Sequence, residues 1–122
     1  MTLGERLKEI QIILKITNKD IIYRTGLADA MVDSLRNDRS VGRDMRTMVK
    51  LCAGLGLPPS VSHELCALAG VALNSATRQN HAYRFIIDTM FGKTAEYKER
   101  FLESIGLPRL DIQDDWQKLK RS

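Results

Sequence analysis

Apolar residues recur along this chain at the spacing of helices that pack on one side. Leu3, Leu7, Ile10 and Leu14 stand at i, i+4, i+7 and i+11 with Arg6, Lys8 and Glu9 between them. Thr2 followed by Glu5 has the spacing of a capping box, so the pattern predicts a first amphipathic helix from the start of the chain. Thr17 and Asp20 repeat that opening, Ile21 and Ile22 supply an apolar face, and Gly26 offers a left-handed stop, which leaves a second helix of about two turns. Beyond Leu27, the residues Met31, Val32 and Leu35 share one side of a third helix and turn Asp29, Ala30, Asp33 and Arg36 toward the other.

After the loop "RNDRSVGR", Asp44 is placed to cap a fourth helix whose Met45, Met48, Val49, Cys52 and Leu55 face inward, ending at "AGLGLPP". Pro58, Pro59 and Ser60 open a fifth helix that runs to about Ala69 and closes at Gly70. Two further stretches follow. Ala82, Phe85, Ile86 and Met90 lead to Gly92, and Tyr97, Phe101, Leu102 and Ile105 lead to Gly106 behind a Thr94 cap. The short "GKT" connection predicts a helical hairpin whose apolar faces need cover from the first five helices or from another subunit. The final "LDIQDDWQKLKRS" reads either as a short helix with Ile112, Trp116 and Leu119 on one side or as a frayed tail.

Composition agrees with an all-α chain. Its 122 residues suffice for one ordinary domain, or a small one with an extension, and low aromatic content beside many Leu, Ile, Met and Ala favours helices. The net charge of +4 permits a polyanionic partner without requiring one, so its distribution matters more. From Arg36 to Lys50, Arg36, Arg39, Arg43, Arg46 and Lys50 stand against Asp38 and Asp44. The two cysteines, Cys52 and Cys66, form no CxxC pair and are expected as small buried hydrophobes in a reducing compartment. The start "MTLGERLKEIQIIL" carries charges in its first turns, so neither a signal peptide nor a membrane association is expected, and a cytoplasmic location is.

The segment "TNKDIIYRTGLADAMVDSL", residues 17–35, resembles the helix-turn-helix of the Cro/CI-type (XRE-type) family, whose domain is λ-repressor-like. The resemblance rests on Thr17 and Asn18 at the start, Ile21, the turn Gly26, and the anchors Val32 and Leu35. It is reinforced by "MVKLCAGLGL", residues 48–57, which is similar to the family's later apolar pair, Lys, Leu, small residue and Leu-Gly. It covers residues 3–70 and implies a five-helix λ-repressor-like domain over residues 1–72, with residues 73–122 as a helical extension for packing or dimerisation. By family position, Asn18, Ala28, Asp29, Ala30 and Asp33 face double-stranded DNA, and Arg36, Arg39, Arg43 and Arg46 are candidates for the flanking phosphates. Three departures bear on function: Ile22 stands where the family commonly has Ala, Thr25 replaces an apolar residue, and Asp38 sits where Gly is frequent.

The reading helix is itself unusual. Ala28 and Ala30 can touch thymine methyls and Asp29 can accept from cytosine N4, yet two carboxylates near phosphates oppose binding unless cations offset them. Asp29 equally suits the first turn of any helix. His63 and Cys66 have an i, i+3 spacing, with Cys52 or His81 nearby in principle, but nothing fixes a complete ligand set, so no metal, cofactor or small-molecule substrate is expected. No phosphate loop or nucleophile motif appears and catalysis is not expected. Tyr83, Phe85, Phe91, Tyr97 and Phe101 are expected mainly in the core. Two functions follow as expectations. One is sequence- or shape-directed DNA binding by a dimeric transcriptional regulator, and the other is a protein-interaction module on a helix-turn-helix scaffold that no longer binds DNA.

Overall fold

A computed structural model describes residues 1–39, 43–71 and 76–115. Among them the chain is all-helical: α1 (Leu3–Leu14), α2 (Asn18–Thr25), α3 (Asp29–Arg36), α4 (Met45–Gly54), α5 (Pro59–Leu68), α6 (Arg78–Thr89) and α7 (Ala95–Ser104). Local chemistry sets most of the boundaries. Thr2 with Glu5 and Thr17 with Asp20 form full capping boxes, while Asp44, Thr77 and Thr94 each accept an N–H of the helix that follows. The end of α1 is less obvious from sequence, because Lys15 takes the left-handed conformation (φ 56°) that usually falls to glycine. None of the described helices is long and apolar enough to cross a membrane.

Two hydrophobic cores share α4. Its Met48, Leu51 and Cys52, with Leu55 just beyond its end, pack with Leu3, Leu7, Ile10, Ile21, Val32, Leu35 and Leu65 of the preceding and following helices. Its Val49 and Ala53 pack instead with Ala82, Tyr83, Ile86 and Ile87 of α6, with Met90 just beyond it, and with Leu102, Leu110 and Ile112. Of the two covers expected for the hairpin's apolar faces, its own chain therefore supplies most: Ile86, Met90 and Leu102 are buried and Phe101 and Ile105 half-buried. Helices α6 and α7 also meet through Phe85 and Phe101, whose ring centroids lie 5.2 Å apart. Three helical assignments place a residue inward that lies outside. Leu14, Phe85 and Tyr97 are 42%, 44% and 51% exposed, because each sits at the edge of its helix's apolar arc, where the neighbouring elements cover it only in part. The domain boundary at 72/73 and the tail residues Trp116 and Leu119 lie outside the described residues.

After α7 the chain takes an irregular path, residues 107–115, that is nevertheless anchored. Leu110 and Ile112 are buried, and the fully buried Glu99 carboxylate accepts the N–H groups of Leu110 (2.7 Å), Asp111 (2.6 Å) and Ile112 (3.2 Å). These charge-assisted bonds supply the partners that a strand would otherwise need. Neighbouring Lys98, also buried, donates from Nζ to the Ala53 carbonyl at the end of α4 (3.0 Å), and burial pushes its ammonium below the ordinary lysine value. Both residues look like surface charges in sequence, since their partners, residues 110–112 for Glu99 and Ala53 for Lys98, lie ten residues or more away along the chain.

Replacing Glu99 by Gln sets an NH2 group against backbone N–H donors in a buried site. The variant should lose about 3 kcal/mol of stability in urea unfolding, and a loss below about 0.5 kcal/mol would show that Glu99 does not hold residues 110–112 in place.

Candidate nucleic-acid interface

The α2–α3 unit is built around a three-residue turn. Thr25, the unexpected polar residue, is fully buried, yet its hydroxyl donates to the Ile21 carbonyl (2.6 Å) and accepts the Leu27 N–H (3.2 Å), so it bridges the helix end and the turn. Gly26 (φ 71°) is required twice over: the backbone is left-handed there, and a Cβ would come within 2.5 Å of the Asp111 carbonyl oxygen. Ile22 is half-buried against the first core, so the larger residue is accommodated at the helix crossing. Val32 and Leu35 anchor α3, while Ala28, Asp29 and Ala30 at its beginning are all exposed, and no side chain caps it.

The other candidate residues are less free than a charge count suggests. Asp33 accepts from Asn37 Nδ2 (3.0 Å) and pairs with Arg39 (2.9 Å). The Arg36 Nε donates to Gln11 on α1 (2.7 Å), and Gln11 in turn donates to Asn18 Oδ1 (2.9 Å). Arg43 pairs with Asp38 at 3.3 Å. Arg46 turns inward and ties α4 to the extension, donating to the Tyr83 hydroxyl (3.0 Å) and to the Arg109 carbonyl (2.8 Å). Of the residues expected at DNA, Asn18, Ala28, Asp29, Ala30, Asp33, Arg36 and Arg39 thus belong to the α2–α3 unit. Arg43 joins the α1 terminus, and Arg46 is a cross-link between cores.

Two residues that hold this surface together went unassigned in sequence. Asp38 takes a left-handed backbone (φ 57°), the conformation that favours glycine, and its carboxylate accepts from the Thr2 hydroxyl (2.7 Å) and the Gly4 N–H (2.8 Å). It fastens the start of α1 to the chain leaving α3, where Gly4 is essential because any Cβ would collide with the Arg36 carbonyl oxygen. Gln11 was detectable in principle. It lies one turn beyond Leu7 on the apolar stripe of α1, and a polar residue in that phase must find partners.

The other clusters read differently. His63 Nε2 lies 2.6 Å from Asp88, while Cys66 is buried with Cys52 in the first core, so the i, i+3 pair serves two separate environments. Among the described residues no group of three or more His, Cys, Asp or Glu side chains is arranged to hold a metal ion. Compared with models of protein families, with curated proteins and with solved structures, the chain finds no match in any of the three.

The Thr2 hydroxyl, the Gly4 amide and then Arg43 hold the Asp38 carboxyl below its ordinary value. A carboxyl depressed in the folded state adds stability that is present above its unfolded value and is lost as pH falls through the folded one. Asp38→Asn keeps the left-handed backbone and removes the titration. Its melting temperature should lie below that of the native chain at neutral pH and approach it below about pH 4, whereas a gap constant across that range would exclude the Asp38 contacts as the cause.

Proposed function

We propose that residues 1–72 are a λ-repressor-like helix-turn-helix domain that binds double-stranded DNA, with the exposed beginning of α3 in the major groove and α2 across the backbone. The observation that carries this reading is the combination at α3 of two firmly buried anchors, Val32 and Leu35, with three consecutive exposed residues of small or short side chain, Ala28, Asp29 and Ala30. Such a helix can sit deep in a groove, with methyl contacts from the alanines and a single carboxylate suited to cytosine N4. The pairing of Asp33 with Arg39 lowers the repulsion that two free carboxylates would bring.

Charge limits how strongly it binds. Around the end of α3, Arg36, Arg39 and Arg43 stand against Asp33 and Asp38, an excess of one positive charge once Arg46 is withdrawn. Phosphate contacts from Arg36, Arg39 and the exposed Lys19 therefore supply modest affinity, and specificity comes mainly from DNA shape. A regulator of this kind works as a dimer on paired half-sites, and one surface suited to self-association is aromatic: Phe85, Phe91 and Tyr97 are 44%, 52% and 51% exposed on α6, α7 and the connection between them. The same aromatics, with the small charge excess, favour the second reading, a protein-interaction module that has kept the scaffold.

Titration of a fluorescent random-sequence duplex separates the two. Binding should be measurable at low salt and fall linearly in log–log form as salt rises, with Arg39→Ala flattening the slope by about one unit and Asp29→Asn raising affinity about threefold. Absence of any duplex binding at low salt would hand the protein to the second reading. Sedimentation at micromolar concentration should show a dimer that Phe85→Ser converts to monomer, and a native monomer would remove the dimeric model.

A further inference from the structure

Gln11 occupies a junction. It is buried on α1, and its side chain touches both helices of the α2–α3 unit: Oε1 accepts from Arg36 Nε at 2.7 Å, and Nε2 donates to Asn18 Oδ1 at 2.9 Å, with the Ile16 carbonyl at 3.5 Å on the same nitrogen. The orientation of these amides follows from chemistry. A guanidinium has no acceptor, so the Gln11 atom facing Arg36 must be the oxygen. That places the Gln11 NH2 toward α2, where only an acceptor is compatible, so Asn18 must present Oδ1 inward. The Asn18 NH2 is left on the other side of its amide, with no hydrogen bond to any described residue, on a half-buried side chain at the first residue of α2.

We infer that Gln11 is a positioning residue for DNA backbone recognition: with Arg36 it locks the Asn18 amide so that its NH2, and not its carbonyl oxygen, is offered to a phosphate oxygen. This inference rests on the DNA-binding reading above and assigns it a determinant outside the helix-turn-helix. Phosphate oxygens only accept, so an Asn18 amide turned the other way opposes them with its own oxygen. A free amide divides its time between the two orientations, whereas the locked one is already arranged, and pre-arrangement strengthens binding by removing an ordering cost.

The test is a double-mutant cycle on the full chain with Gln11→Met, which is neutral and close in volume, and Asn18→Ala. Affinities for a short fluorescent random-sequence duplex at low salt are read beside thermal melting. Each single variant should weaken binding about fivefold, and the double variant should be no weaker than the poorer single one, because without the amide there is nothing left for Gln11 to orient. Gln11→Glu, which still accepts from Arg36 but draws the Asn18 NH2 inward, should weaken binding further in the native background and lose most of that effect beside Asn18→Ala. Multiplicative losses in the cycle, or native affinity in Gln11→Met when Asn18→Ala is impaired, overturn the positioning role while leaving DNA binding itself intact. A native chain without affinity for the duplex overturns both. Should Gln11→Met melt more than a few degrees early, the Gln11→Glu pair decides by the same criterion.

Discussion

The fold depends on burying one ten-residue helix, α4, on two opposite sides at once. Seven of its residues are buried, with Met48, Leu51 and Cys52 in one core and Val49 and Ala53 in the other. A helix apolar on more than one side has to lie inside the molecule, so everything else is layered around it. Helices α1, α2, α3 and α5 cover one side, and α6 with residues 110–112 covers the other. Its polar positions are used to bind the layers: Arg46 reaches Tyr83 and Arg109, and the Ala53 carbonyl receives Lys98.

That central placement also determines how the α2–α3 unit is held. Gly54, at the end of α4, allows the end of α2 to approach so closely that a Cβ would lie 2.6 Å from the Arg24 carbonyl oxygen. From the other side, the segment fastened by Glu99 brings the Asp111 carbonyl against Gly26 and a Gln113 N–H to Arg24 O at 2.8 Å. The turn between the two helices is thus enclosed by α4 and by residues far along the chain. The extension is therefore part of what shapes the turn.

The cations near α3 illustrate how packing redistributes charge. In a linear count they form a basic run, but Arg46 is spent on the second core, Arg43 on the α1 terminus and Arg39 on Asp33. Exposed pairs such as Arg39–Asp33 contribute little to stability, since water screens them, and a phosphate can compete for the arginine at small cost. Buried or bridging contacts such as Arg46 with Tyr83 are not exchangeable in that way. Arg36 lies between these cases, tied by Nε to Gln11 with its terminal nitrogens lacking a hydrogen-bond partner among the described residues.

What the sequence determined by itself is everything governed by neighbours within a turn or two. The capping boxes at Thr2 and Thr17, the stops at Gly26 and Gly70, the proline start of α5 and the inward faces of α3 and α4 are all local, and they appear where the periodicity places them. The tertiary structure decided whatever needed a partner distant in the chain. Glu99 and Lys98 are buried because residues 110–112 and α4 fold over them, and Asp38 becomes a cap because Thr2 and Gly4 arrive beside it. Arg46 turns inward toward Tyr83 and Arg109, and Gln11 gains its meaning from Asn18 and Arg36. Periodicity reports which side of a helix is apolar; it carries no information about which charged side chain on the border of that side will meet its complement across the core.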